Sequence, residues 1–113
     1  MSDLNNSTAI TAAFTDIAKA VKAYGARMAT LVTPLVQANV DPAKDLKPEG
    51  AWYDSFKRGV AEAYFTALEV EAIFDPALTG KAKVGRKTKR DLTTALSSSV
   101  TKVRAAIIRE MGA

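Results

Sequence analysis

The fold is decided by residues 10–35, which read ITAAFTDIAKAVKAYGARMATLVTPL. Apolar side chains recur in this stretch at alternating steps of four and three residues, at Ile10, Phe14, Ile17, Val21, Tyr24, Met28, Leu31 and Leu35. This heptad spacing places all of them on one face of a helix. The pattern therefore predicts a long amphipathic first helix, over about residues 8–33, as the spine of the fold.

The residues that flank this apolar face indicate whether it is covered by helices of the same chain or by a second chain. The positions that carry charges in a parallel coiled coil are mostly small here, namely Thr11, Ala13, Ala18, Ala20 and Gly25, with Arg27 as the exception. Small residues let helices of the same chain approach closely, which favours a bundle, and a homo-oligomer through the helix 1 face is the alternative. Pro34 removes a helical hydrogen bond, so the helix is expected to kink or end near Thr33, with a separate turn after it.

A second helix is predicted over about residues 49–74. It follows a connection, DPAKDLKPEG, in which Asp41-Pro42 is suited to begin a short helical turn. Its apolar and aromatic residues repeat at helical spacing, at Trp52, Phe56, Val60, Ala63, Ala67, Val70 and Phe74. We interpret this face as core and not as a base-stacking surface, and Asp75-Pro76 ends the helix.

A third helix is predicted over about residues 89–111, after a Thr88-x-x-Asp91 capping box. The expected fold class is all-α: a small bundle of three main helices, with the long N-terminal helix as its spine and a basic loop over residues 76–88 between helices 2 and 3. Its 113 residues are enough for one domain with a modest core, so a single domain over residues 1–113 is predicted.

Composition excludes several kinds of chemistry. The chain has no cysteine and no histidine, which removes disulfides, thiolate catalysis, the commonest general base and the commonest transition-metal ligand. No catalytic constellation is present, so neither an enzyme nor a cofactor nor a metal site is expected. No apolar run approaches the roughly 20 residues of a membrane span. The polar N-terminus, with Asp3, is not a signal peptide, and a cytoplasmic location is the default prediction.

Charge is distributed unevenly along the chain. Residues 1–75 contain seven basic and ten acidic residues, a net charge of −3, whereas residues 76–113 contain nine basic and two acidic residues, a net charge of +7. The densest part is Lys81–Arg90, KAKVGRKTKR, in which six of ten residues are cationic. Lys89 and Arg90 fall in the first turn of the third helix, where the helix dipole disfavours cations. Residues that are unfavourable for folding at their position, as these cations are, are typical of a functional segment.

This segment and the polar face of the third helix are predicted to bind a nucleic-acid phosphate backbone. The face is rich in hydroxyls, including Thr94, Ser97, Ser98 and Thr101. The candidate binding residues are Lys81, Lys83, Arg86, Lys87, Lys89, Arg90, Lys102, Arg104 and Arg109. The alternative interpretation is a solvated loop whose charges only aid solubility.

The sequence thus predicts a non-enzymatic, DNA-binding or other nucleic-acid-binding regulatory or accessory protein. A different class is a protein-interaction or assembly module, a helical oligomer or adaptor, in which the basic segment meets an acidic protein partner. Attraction to an acidic membrane surface is a third possibility. Apolar surface left over around Met28–Leu35 or Tyr64–Leu68 would favour an oligomer.

Overall fold

The computed structural model describes the backbone of residues 7–23 and 31–112, and the side chains of residues 10–23 and 31–111. The helices in these ranges are α1 Ser7–Ala23, α2 Thr33–Gln37, α3 Tyr53–Tyr64, α4 Ala67–Phe74 and α5 Lys89–Gly112. A two-stranded antiparallel hairpin, β1 Lys83–Val84 and β2 Lys87–Thr88, immediately precedes α5. The predicted all-α small bundle is confirmed, and a single domain over residues 1–113 stays a prediction.

The apolar face of α1 lies in the core of the bundle. Ile10, Phe14 and Ile17 are fully buried, and Val21 is 5% exposed. The Phe14 ring packs edge-on against Phe56 of α3, with the ring centroids 5.2 Å apart. These side chains are buried within one chain, so they are not available to a dimeric coiled coil. The next two positions of the heptad pattern, 24 and 28, lie outside the described residues.

The first helix does not continue to residue 33 as predicted. Residues 31–32 form a turn, and a separate short helix, α2, begins at Thr33 with Pro34 in its first turn. Proline is well placed there, because the amide that it lacks has no partner at a helix start. Leu35 is fully buried, so the last position of the heptad pattern reaches the core from α2. The expected separate structure after Thr33 is therefore confirmed.

The second predicted helix is wrong at its start and in its middle. Glu49 has a left-handed φ of 74° and α3 begins only at Tyr53, because residues 49–52 form turns. The helix then breaks at Phe65, whose backbone is extended. Thr66 starts a new helix through a capping box: its Oγ1 accepts from the Glu69 amide at 3.2 Å, and the Glu69 carboxylate accepts from the Thr66 amide at 2.9 Å.

The third predicted helix is confirmed as α5, and so is its capping box. The Asp91 amide donates to Thr88 Oγ1 at 3.2 Å, and the Thr88 amide donates to Asp91 Oδ2 at 3.3 Å. The inner face of α5 buries Leu92, Leu96, Val100, Val103, Ala106 and Ile107. The opposite face of α5 is exposed over its whole length, which leaves its polar residues accessible.

Gly59 sets the distance between α1 and α3. A Cβ atom at Gly59 would lie 2.6 Å from Phe14 Cβ and 2.9 Å from the Thr11 carbonyl oxygen. Any larger residue would have to displace the backbone of α1, because one of these two neighbours is a main-chain atom. The glycine therefore allows the two helices to cross almost backbone to backbone.

We expect Gly59→Ala to lower the free energy of unfolding by about 1–3 kcal/mol, the usual cost of overpacking a core. At an unconstrained helical site the same change stabilises a protein by roughly 0.5–1 kcal/mol, so the sign of the effect is diagnostic. Urea unfolding measures it, with Glu62→Ala on the exposed side of α3 as the control. Stabilisation of the protein by Gly59→Ala would contradict the close helix contact.

The side chain of Tyr64, in α3, places a polar group in a buried position. Its hydroxyl oxygen is buried, and within the described residues it has no hydrogen-bond partner. Burial raises the pKa of Tyr64, because desolvation disfavours the phenolate. A raised pKa in the folded state means that stability is fully present below the ordinary pKa of tyrosine, about 10, and is lost as the pH rises above it.

We expect Tyr64→Phe to be neutral or slightly stabilising at pH 7, because it removes a buried hydroxyl that has no partner among the described residues. Above about pH 10 the variant should lose less stability than the wild type, because it cannot ionise there. Thermal unfolding of both proteins from pH 7 to 11 measures this difference. Parallel curves for the two proteins over that range would show that Tyr64 ionises without a folding penalty.

Candidate nucleic-acid interface

The basic segment is a hairpin, and the prediction of a plain loop over residues 76–88 is wrong at its end. Lys83 pairs with Thr88, and Val84 pairs with Lys87. The turn between the strands is Gly85-Arg86, in which Gly85 has a φ of 68° and Arg86 does not have a positive φ. This is the pattern of a type II′ turn, which needs glycine at its first central position and matches the twist of the strands.

The hairpin is attached to the helices on both sides of it. The Lys89 amide donates to the Ala82 carbonyl at 2.8 Å, and the Arg90 amide donates to the Gly80 carbonyl at 2.9 Å. These bonds continue the strand pairing into the first turn of α5. Val84 packs against the hydrophobic core. The hairpin is thus held as part of the fold, which fixes the backbone positions of its cations.

Five of the six cations of the segment are exposed, namely Lys81, Lys83, Arg86, Lys87 and Arg90. We call them the hairpin cations. Within residues 10–23 and 31–111, the ion pair that the structure contains is Arg58 with Glu62, at 3.5 Å, so none of the hairpin cations is paired with a described carboxylate. They form a concentrated positive surface without an ion pair among the described residues.

Lys89 is the sixth cation; it is half-buried, and its role in binding stays a prediction. Its Nζ donates hydrogen bonds to the carbonyl oxygens of Asp75 and, at 3.0 Å, of Leu78. Both carbonyls belong to the segment that directly follows α4. Lys89 therefore ties the end of α4 to the start of α5. This contact also explains why a cation occupies a helix position that the dipole disfavours.

Arg104 is likewise turned toward the protein. Its Nη1 donates to the carbonyl oxygen of Leu46 at 3.0 Å. The Leu46 side chain is fully buried, so Arg104 fixes the connection over residues 41–50 against α5. The contact of Arg104 with nucleic acid stays a prediction, and one donor of its guanidinium group already has a structural role.

Lys102 and Arg109 are exposed, but the structure does not bring them to the hairpin. They lie 12 and 19 residues after Arg90, which is roughly 18 and 28 Å along the axis of α5 at 1.5 Å per residue. They are also rotated from Arg90 by about a third of a turn. These two residues could contact only a ligand that extends along much of α5.

Several hydroxyls of α5 are bonded to the helix itself. Thr93, Ser99 and Thr101 each donate to the carbonyl four residues earlier, at 2.9, 3.0 and 3.0 Å. Such bonds satisfy a serine or threonine hydroxyl inside a helix. Of these three residues only Thr101 belongs to the predicted hydroxyl-rich face, and the role of that face in phosphate binding stays a prediction.

Acidic side chains border the hairpin on one side. A groove of about 290 Å³ separates the hairpin from α4, and it is lined by Leu68, Glu71, Ala72, Asp75, Leu78, Lys83, Val84 and Gly85. Its two carboxylates disfavour an anion inside the groove. An anionic ligand is therefore expected to approach the hairpin at its exposed tip, Gly85-Arg86, with Lys83 at the edge of the groove.

Comparisons of this chain with models of protein families, with curated proteins and with solved structures found no match. In the part of the chain that the structure describes, no group of three or more carboxylates is placed to hold a metal ion. No helix in the described ranges combines the length and the hydropathy that a membrane crossing requires.

Two lysines of this region form a matched pair for separating structure from binding. We expect Lys89→Ala to lower the free energy of unfolding by about 1.5–3 kcal/mol, because it removes charge-assisted hydrogen bonds. Lys87→Ala should change stability by less than about 0.5 kcal/mol. It should instead lower by about one the slope of the logarithm of DNA affinity against the logarithm of salt concentration.

Urea unfolding and fluorescence anisotropy with a labelled duplex, each applied to both variants, measure these two effects. We expect Lys89→Ala to affect mainly the free energy of unfolding, and Lys87→Ala to affect mainly the salt dependence of DNA binding. Equal losses of stability in the two variants would contradict the structural role of Lys89.

Proposed function

We propose that this protein is a non-enzymatic nucleic-acid-binding protein that holds a phosphate backbone through the hairpin cations. The observation that supports this function is the set of exposed lysines and arginines on and directly beside a preformed hairpin, where no described carboxylate pairs with them. A cytoplasmic location and a regulatory or accessory role belong to the same proposal.

Physical chemistry favours such a surface as a phosphate-binding site. Each cation that neutralises a phosphate releases counterions, which gives binding a steep salt dependence. Five contacts would give a slope of about −4.5 on a duplex. Because the hairpin is already folded and attached to α4 and α5, little conformational entropy is lost when it binds.

Lys102 and Arg109 extend this surface for a long ligand only. A duplex that lies along α5 would reach them some 18–28 Å from Arg90, a distance of roughly five to eight base pairs. A ligand shorter than this would contact the hairpin cations alone. The salt dependence of binding should therefore grow with duplex length up to that limit.

A second candidate function, a protein-interaction or assembly module, is favoured by exposed apolar side chains. Leu68 is 67% exposed and Val36 is 56% exposed. Val36 also borders a groove of about 540 Å³ between α2 and the end of α5, lined by Val36, Asn39, Val40, Asp41, Pro42, Ala43, Ile108 and Met111. A protein partner or a second copy of the chain would cover these residues, and an acidic protein would meet the hairpin cations.

The nucleic-acid proposal is tested by charge reversal at Lys83, Arg86 and Lys87 together. The fold should persist, because all three side chains are exposed, while affinity for DNA should fall by at least about a hundredfold at low salt because like charges now oppose the phosphates. Fluorescence anisotropy with a labelled 20-base-pair duplex at two salt concentrations measures the loss, and circular dichroism checks the fold.

The matched control reverses Lys19, Lys44 and Lys47, which are exposed elsewhere. Both triple variants change the net charge from +4 to −2. Local contact with the hairpin predicts a much smaller loss of affinity in the control. Equal losses in the two variants would show that only the net charge of the protein attracts DNA. Wild-type affinity weaker than roughly 10⁻⁴ M at physiological salt, the limit of ordinary non-specific binding, would refute the function.

A further inference from the structure

The hairpin carries its cations on both faces and at its tip. Residues that pair directly across an antiparallel ladder point to the same face of it. Lys83 pairs with Thr88 and Lys87 pairs with Val84, so Lys83 and Lys87 lie on opposite faces. Arg86 is the one side chain at the turn, because its neighbour there is Gly85. A ribbon of this kind can meet two phosphate strands at once, with an arginine between them.

We propose that the hairpin binds duplex DNA across the minor groove, with Arg86 inserted into the groove and Lys83 and Lys87 on its two phosphate walls. This inference rests on the proposed function and specifies its ligand. A phosphate backbone on one side only, as in a single strand, would leave one of the two lysines without a phosphate.

The side chains around the hairpin favour a duplex over a single strand. Proteins that bind single strands without sequence preference stack the bases on aromatic side chains. No aromatic residue follows Phe74 in the sequence, so neither the hairpin nor α5 offers a stacking surface. What the hairpin presents instead is charge at defined spacing, which suits the regular backbone of a duplex.

The shape of the hairpin favours the minor groove over the major groove. A ribbon that reads bases in the major groove needs a row of free side chains on one face. Here Val84 packs against the core, and Thr88 caps α5 through its hydrogen bond with Asp91. The minor groove is only about 6 Å wide, so it admits a single extended side chain but not two strands about 4.8 Å apart with their side chains.

A preference for A·T-rich DNA follows from this arrangement. A-tracts have a narrow minor groove with a strongly negative potential, which attracts arginine. In G·C pairs the 2-amino group of guanine stands in that groove. Arginine is more weakly hydrated than lysine, so it enters the groove at a lower desolvation cost.

The test compares three labelled duplexes of equal length at low salt: A·T, G·C and inosine·cytosine. Inosine·cytosine keeps the major-groove groups of G·C and lacks the guanine 2-amino group in the minor groove. We expect the wild type to bind the A·T and inosine·cytosine duplexes about tenfold tighter than G·C, near the lower end of what one well-placed base contact gives. We also expect weaker binding to a single strand of the same length.

Arg86→Lys keeps the charge, so its salt slope should be unchanged while the preference among the three duplexes largely disappears. Lys83→Ala is the matched control: it should lower the salt slope by about one for every duplex and keep the preference. Together the two variants separate groove insertion from phosphate contact. Loss of the preference in Lys83→Ala but not in Arg86→Lys would overturn the assignment of the groove to Arg86.

The outcomes distinguish this inference from the function on which it rests. Binding of all three duplexes with equal affinity, weak binding of inosine·cytosine like that of G·C, or tighter binding of the single strand would overturn the minor-groove arrangement alone. No measurable binding of any duplex or single strand by the wild type would overturn the nucleic-acid function as well.

Discussion

The close crossing of α1 and α3 at Gly59 is the contact on which the rest of the structure depends. It allows Phe14 and Phe56 to meet edge-on, with both rings fully buried. Aromatic pairs of this geometry stabilise a core beyond the area that they bury. Once α3 is fixed against α1, its inner face and that of α1 form the surface on which α5 packs. The direction of α3 also determines where α4 begins, and hence where the hairpin lies.

Polar contacts at helix ends connect this core to the basic surface. The capping box of Thr66 starts α4, and the capping box of Thr88 starts α5. Between them, the side chain of Lys89 donates to a carbonyl oxygen of the segment that follows α4. An isolated hairpin with two residues in each strand would not be stable in water. Its geometry is therefore imposed by the helices that flank it. A surface attached in this way keeps its shape without a core of its own.

Local patterns predicted those parts of the fold that depend on local interactions. The heptad repeat through Val21 and the capping box at Thr88 both act within a few residues, and both were predicted. The break at Phe65 was missed because the apolar repeat continues across it, although Thr66-x-x-Glu69 is itself a capping-box signal. The hairpin was missed because two-residue strands show no alternation. The inward position of Lys89 depends on a tertiary contact that composition does not reveal.

Two carboxylates beside the hairpin bind backbone amides and form no ion pair with its cations. Asp91 accepts the Thr88 amide, and Asp75 Oδ1 accepts the Ala77 amide at 2.9 Å. Both acids thus serve the backbone at a helix start or turn, where their negative charge is stabilised by amide dipoles. The exposed cations that lie within ten residues repel one another, and acids used in this way do not offset that repulsion. An anionic ligand bound beside the hairpin would reduce this repulsion, which is the physical basis of the proposed binding.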